Sequence, residues 1–342
     1  MASRILIIKL SAVGDVIHAV PIACALRDQL PGAYLAWAVG PSAGTLLQGH
    51  SALDEVIPVP RNWLKSPRGI CRFRRQLQAR RFDAVIDAQC LTKSAILAWL
   101  SGARRRIGFG NRWGRELSRF LHTELVETPG PHMIDHNVGL LSALGISKPR
   151  IHFDMPLYEP EQASMDDVIR QNHCEGGFAV INVGAGWESK LWPAERFAAV
   201  ARYLGSRRGM PALVVWAGDA ERRAAETVVA GSGGYALLAP STTLRELASL
   251  TRRAQIFLGS DTGPLHLAVA LGTPCVGLYG PWPADRHGPY GPGHIAIQKR
   301  VFEGPTRRRR TLSSEYMEAI DVESVCEACD AILDREGWIA AA

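Results

Sequence analysis

Short apolar runs rich in Ile, Val, Leu and Ala recur along this chain, and segments whose apolar residues return every three or four positions separate them. Runs at 4–9, 34–39, 55–59, 84–88 and 105–108 predict strands, with helical patterns at 16–29, 68–81, 94–101 and 134–144 between and after them. A second series of strands is expected at 179–183, 213–217, 236–238, 256–259 and 275–279. Its helices open at Pro193 and at the capping box Thr243-Leu244-Arg245-Glu246, and the last one carries Val322, Val325, Ala328, Ile332 and Leu333. Strand runs that are mostly apolar rather than alternating suit a parallel sheet covered by helices on both faces. Between the two series, residues 145–160 lose all period and contain Pro149, Pro156 and Pro160, as a linker would. The expectation is an α/β protein of two Rossmann-like domains, 1–155 and 156–342, with ligand held in a cleft between them.

Composition agrees with a globular chain: 342 residues, 47% hydrophobic and 21% charged. No apolar run reaches bilayer length, and the apolar part of the first residues is too short for a signal peptide, so a cytoplasmic protein is expected. Seven irregularly spaced cysteines read as reduced thiols. Cys326 and Cys329 form one C-x-x-C with no second pair, which favours a structural role over zinc. Charge changes the picture more. Between Arg61 and Arg119 there are 15 Lys or Arg against Asp83, Asp87 and Glu116, so the rest of the chain is net acidic although the whole is +6. Within that stretch Ile70, Phe73 and Leu77 recur at helical spacing while Arg72, Arg74, Arg75, Arg80 and Arg81 fall elsewhere. Such a helix rests on an anionic membrane surface or is simply a solvated face. Interleaved aromatics are few (Trp63, Phe73, Phe82), which argues against nucleic acid as partner. The run Arg307–Arg310 leaves three readings: a phosphate clamp, a membrane contact, or, as most such runs, free in solvent.

The candidate chemistry lies where strands give way to helices. In Ser260-Asp261-Thr262-Gly263-Pro264-Leu265-His266-Leu267 a strand runs into a helix that starts on Pro264, where free N–H groups and the helix dipole favour an anion. Asp261 would repel a bare phosphate, so it either faces hydroxyls beside the phosphate or caps the helix. After the first strand, Lys9-Leu10-Ser11-Ala12-Val13-Gly14-Asp15 lacks both the three-glycine dinucleotide fingerprint and a P-loop. Asp15 there is a general base or a helix-start cap. Gly184-Ala185-Gly186-Trp187-Glu188-Ser189-Lys190 lets a ligand approach backbone, and Lys190 is placed to neutralise a leaving diphosphate. Beyond Trp216-Ala217-Gly218, Glu221 is the candidate grip on a ribose, with Asp219 as rival or cap. No Asp-x-Asp pair is present to hold a divalent ion, and neither metal nor cofactor is expected.

In this order, Ile5–His18, Asp87-Ala88-Gln89-Cys90-Leu91-Thr92-Lys93-Ser94, Lys190-Leu191-Trp192-Pro193 and Ser260–His266 resemble the ADP-heptose:lipopolysaccharide heptosyltransferases of glycosyltransferase family 9. Heptosyltransferase I is the nearer type, although Cys90 stands where relatives commonly have glycine. The resemblance implies a GT-B architecture, with acceptor on the amino-terminal domain and nucleotide sugar on the carboxy-terminal one. It implies Asp15 as base, and Lys190, Glu221, Thr242, Asp261, Thr262, Gly263 and His266 on the donor side. Ser11, Gly14, Arg61, Lys93 and Arg115 would meet the acceptor. The implied partners are ADP-heptose, the Kdo-lipid A region of the lipopolysaccharide inner core, and the anionic inner membrane as a peripheral support. Rivals are another heptose acceptor or nucleotide sugar, or a nucleotide-sugar epimerase on the same scaffold.

Overall fold

A computed structural model describes residues 3–110, 117–128 and 130–335, and the chain divides into two compact units, Met1–Pro156 and Leu157–Ala342. The first unit holds β1 (Arg4–Ile8), β2 (Tyr34–Val39), β3 (Glu55–Pro58), β4 (Ala84–Asp87), β5 (Arg105–Phe109) and β6 (Glu124–Val126). They form one parallel sheet in the order β3-β2-β1-β4-β5-β6. The second unit holds β7 (Ala179–Asn182), β8 (Ala212–Val215), β9 (Ala236–Leu238), β10 (Ile256–Ser260), β11 (Cys275–Leu278) and β12 (Ile295–Ile297). Its sheet, also parallel, runs β12-β11-β10-β7-β8-β9. Counted from the first strand of each unit the two orders are the same doubly wound 3-2-1-4-5-6, so the α/β expectation holds in both halves.

That order positions the chemistry. In each unit the first strand lies beside the fourth, Ile8 opposite Asp87 and Asn182 opposite Gly259, and the chain leaves these neighbours in opposite directions. A crevice opens where their loops part, at the carboxyl ends of the strands. The strands on either side are buried on both faces, which explains their unbroken apolar runs: Leu6, Ile7, Ile8, Val85 and Ile86 in one core, Val180, Ile181, Phe257 and Leu258 in the other. Cys326 and Cys329 are free thiols in the core of the second unit, and burial pushes the Cys326 thiol up to about 11.

Several boundaries differ from expectation. The pattern at 16–29 is two helices, Val13–Ile17 and Val20–Gln29. Pro21 explains the break, because its ring would strike the carbonyl of Ile17 in a continuous helix, whereas the first turn of a new one accommodates it. The helical segment at 134–144 tightens into a 3-10 turn from Leu140. Pro160, read as linker, sits in the first turn of the helix Glu159–Gln171. Both sheets end in three-residue edge strands, β6 and β12, which no periodic pattern announced. Among the described residues, no helix is long and apolar enough to cross a membrane.

Candidate active site

In the second unit the loops after β7 and β10 carry most of the donor-side candidates. β10 is followed at once by the helix Gly263–Ala270, with Thr262 as its N-cap residue and Pro264 in its first turn. Asp261 therefore does not cap this helix. Its carboxylate turns inward, with Oδ2 2.5 Å from Lys190 Nζ and Oδ1 3.1 Å from His266 Nε2, while Lys190 Nζ also donates to the Asp261 carbonyl at 2.9 Å. Both ends of the pair are well covered, with side-chain exposures of 14% for Lys190 and 6% for Asp261. Burial alone would raise the Asp261 pKa, but Lys190 and the His266 hydrogen bond outweigh it and hold the carboxyl below the usual carboxylate range. Asn182, the last residue of β7, donates from Nδ2 to the Gly184 carbonyl at 3.0 Å and to Thr262 Oγ1 at 3.4 Å, tying the two loops across the crevice. Thr262 and Gly263 remain half-buried, so their backbone is accessible at the positive end of the helix.

Glu221 lies one strand over, in the helix Gly218–Gly231 that follows β8. Its Oε2 accepts the Ala217 amide at 2.8 Å, so Glu221, and not Asp219, satisfies the start of this helix. Burial raises the Glu221 pKa against the lowering effect of that hydrogen bond. The carboxyl packs where Gly184 has no side chain: a Cβ on Gly184 would come within 2.1 Å of it. This brings Glu221 to the β7 loop. Thr242 is half-buried in the loop after β9, next to the Thr243–Glu246 capping box, which forms as read.

In the first unit, Asp15 is the third residue of the short helix Val13–Ile17 that follows β1. Its Oδ2 accepts the Ala12 amide at 3.1 Å, and no partner for Oδ1 is present among the described residues. Cap and base readings are thus compatible, one oxygen for each. Two contacts fix the preceding loop from β4: Gln89 Oε1 accepts the amides of Leu10 at 3.0 Å and Ser11 at 3.2 Å. Buried Lys9 donates to the Ala88 carbonyl at 2.9 Å. Gln89 is held in turn by Asp87, whose Oδ1 accepts the amides of Gln89 and Cys90 and whose Oδ2 takes Ser94 Oγ and faces His122 Nε2. Sequence reading saw Gln89 only as part of a motif, since a bond across 78 or 79 residues leaves no local periodic trace.

The remaining acceptor candidates separate. Ser11 is exposed and Gly14 buried beside Asp15, while Lys93 Nζ donates to the backbone carbonyl of Arg61 at 3.4 Å, which brings the Lys93 side chain to the Arg61 loop. Arg115 lies outside the described residues. Two groups of ligating type exist among the described residues, Asp87/Cys90/His122 and Cys24/His152/Asp154; in the first Cys90 and His122 bond to Asp87, and in the second His152 pairs with Asp28 and Asp154. The basic helix, Pro67–Gln78, buries Phe73 and Leu77 and exposes Arg72, Arg74 and Arg75. Arg80 leaves that face: it makes a bidentate pair with Glu55, whose carboxyl its guanidinium draws down. Arg309, half-buried, and Arg310, exposed, lie over the rings of Trp282 and Trp187 at 5.7 and 4.5 Å.

Comparison with known proteins places this arrangement. A lipopolysaccharide heptosyltransferase 1 from Salmonella typhimurium is 30% identical over 86% of this chain and 93% of its own length. A glycosyl transferase family 9 protein from Veillonella parvula superposes with a TM-score of 0.85 at 23% identity, covering 97% of each chain. An Escherichia coli heptosyltransferase solved with ADP-2-deoxy-2-fluoro heptose superposes with a TM-score of 0.75 at 25% identity, over 96% of this chain and 99% of that one. The profile of glycosyltransferase family 9 (heptosyltransferase) matches residues 70–317, most of both units, and the chain belongs to that family, as a glycosyltransferase.

Proposed function

We propose that this enzyme transfers heptose from ADP-heptose to the Kdo-lipid A region of the lipopolysaccharide inner core by an inverting single displacement. The observation that carries the reading is the division of charge between the two crevices: one offers a carboxylate with an oxygen that has no partner among the described residues, the other a lysine and helix N-terminus suited to phosphate. The names of relatives, a lipopolysaccharide heptosyltransferase and a heptosyltransferase solved with ADP-2-deoxy-2-fluoro heptose, support heptose as the sugar and lipopolysaccharide as the class of acceptor. Unit 1 presents the acceptor near Ser11, Gly14, Arg61 and Lys93, and Asp15 Oδ1 takes the proton from its hydroxyl. The acceptor hydroxyl oxygen attacks the anomeric carbon as it loses that proton, the bond from that carbon to the diphosphate breaks, and ADP leaves with the electron pair. Lys190 and the amides of Thr262 and Gly263 stabilise the developing anion, Glu221 holds the ribose with Thr242 beside it, and Asp261 with His266 shapes the sugar pocket.

A matrix of nucleotide sugars against truncated lipopolysaccharide acceptors, read as product mass with anomeric configuration by NMR, tests this directly. ADP-heptose and a Kdo-lipid A acceptor should give an inverted product. Asp15→Ala should lower kcat by about 10²–10⁴-fold while leaving ADP affinity within about twofold. Turnover of the donor without acceptor would mean epimerisation, and retained turnover in Asp15→Ala would end the base assignment.

The amphiphilic acceptor also gives a purpose to the surface of unit 1. Arg72, Arg74 and Arg75 are exposed, and so are Trp99 at 53% and Phe120 at 83%, a combination of cations and large apolar rings that suits peripheral binding to an anionic bilayer. Charge reversal at the three arginines should weaken sedimentation with phosphatidylglycerol vesicles, and added salt should weaken the wild type likewise. Equal binding by both proteins would return these arginines to a solvated face.

A further inference from the structure

Lys190 is the obvious cation for a donor diphosphate, yet its charge is already balanced. With Asp261 2.5 Å away the pair is close to neutral, and a diphosphate carries at least two negative charges. The N-terminus of the Gly263–Ala270 helix contributes about half a charge, which leaves most of the anion unmatched. Further cations must come from elsewhere in unit 2.

The arginine run supplies them. Thr306–Thr311 forms a 3-10 turn that packs against the Glu188–Lys190 turn. Arg309 stands 5.7 Å from the centre of the Trp282 ring, and that same ring carries Lys190 Nζ at 4.8 Å. Arg310 lies over Trp187, in the glycine loop after β7, at 4.5 Å. One indole thus brings Arg309 next to the Lys190–Asp261 pair, where an anion held by Lys190 also meets the Arg309 charge. Arg309 is also only partly satisfied: Nη2 donates to the Phe302 carbonyl at 3.3 Å, while Nε is buried without a partner. Burial pulls its pKa down and the Asp285 carboxylate opposes this.

We infer that Arg309 and Arg310 form a cationic strap, seated on Trp282 and Trp187, that grips the diphosphate of the nucleotide-sugar donor beside Lys190. Arg307 and Arg308 are exposed, as is Arg310, but it is Arg309 and Arg310 that lie over tryptophan rings, and Arg307 and Arg308 take no part. The inference rests on the reading of unit 2 as the donor side.

Calorimetric titration of the full chain with pyrophosphate, ADP and adenosine separates the two. Arg309→Ala/Arg310→Ala should lose about tenfold or more in affinity for both pyrophosphate and ADP, with adenosine binding unchanged. The double lysine variant, which keeps charge on the same stems, should recover part of the loss, and unchanged urea midpoints would show that both variants are folded. Pyrophosphate affinity equal in wild type and the double alanine variant would overturn the strap. If pyrophosphate bound in a strap-dependent way and ADP did not, the strap would stand and the ADP-sugar reading would fall; if the wild type bound neither, both would fall.

Discussion

At the carboxyl edge of β1 and β4 a neutral amide ties the loops together, Gln89 accepting two backbone N–H groups, and one oxygen of Asp15 has no countercharge among the described residues. At the equivalent edge of β7 and β10 an ion pair ties them, Lys190 to Asp261, with His266 on the second oxygen. The strand order is the same in both units, so the difference comes from loop residues and not from the fold. It is a chemical difference with a purpose. A general base works only if its proton-accepting oxygen is not already neutralised by a fixed cation, whereas a site for a departing diphosphate must hold cations in place before the charge develops.

If this comparison is right, cutting the ion pair costs much more than cutting the amide tie. Lys190→Ala would leave the Asp261 carboxylate buried beside His266 alone, and breaking a buried pair by removing one partner typically destabilises by about 3–5 kcal/mol. Urea unfolding at pH 7 should show a loss of that order, together with weakened pyrophosphate binding. The pH dependence has a definite sign. In the wild type Asp261 is held below its unfolded value, so its contribution is fully present above about pH 4 and is lost as pH falls through the lower folded pKa. Without Lys190, burial pushes the same carboxyl up, and the folded variant takes up a proton more readily than the unfolded chain. The gap between wild type and variant should therefore narrow as pH drops from 7 towards 4. A gap that stays constant over this range would show that Lys190 stabilises the unit through packing of its stem and not through Asp261.

The strands and loops that line the crevices were legible in the sequence because local rules determine them. Apolar runs gave the inner strands, and Gly, Pro and Thr at strand ends marked the loops that became Gly184–Lys190 and Thr262–Pro264. What lay beyond reading was of two kinds. Edge strands β6 and β12, three residues each like the anticipated β9, pair because a neighbour offers them hydrogen bonds. Partner choice was hidden too. Arg80 looked like part of a basic face until Glu55, 25 residues away, was brought beside it, and Arg309 and Arg310 looked like a solvated run until Trp282 and Trp187 lay beneath them. Long side chains settle their roles through tertiary neighbours, and a charge count cannot see those.

The smaller effect belongs to the amide tie, where the two units differ most in kind. Gln89→Ala removes the acceptor of the Leu10 and Ser11 amides, but Ser11 is exposed and Leu10 half-buried, so water can take over both bonds. The stability loss should be about 1 kcal/mol, the usual net value of hydrogen bonds that solvent can replace. Its consequence should appear in the rate. The loop that precedes Asp15 loses its fixed geometry, and a base that must meet an acceptor hydroxyl within hydrogen-bond reach is sensitive to small displacements, so kcat should fall by about tenfold with little change in ADP affinity. Gln89→Glu keeps an oxygen acceptor and should recover most of the rate at neutral pH. A merely structural glutamine would give the opposite pattern: stability and kcat would fall together and the glutamate would rescue neither. Should Gln89→Ala destabilise the chain as much as Lys190→Ala, the contrast between a solvent-replaceable tie and a buried ion pair would be gone, and the free oxygen of Asp15 would need another explanation.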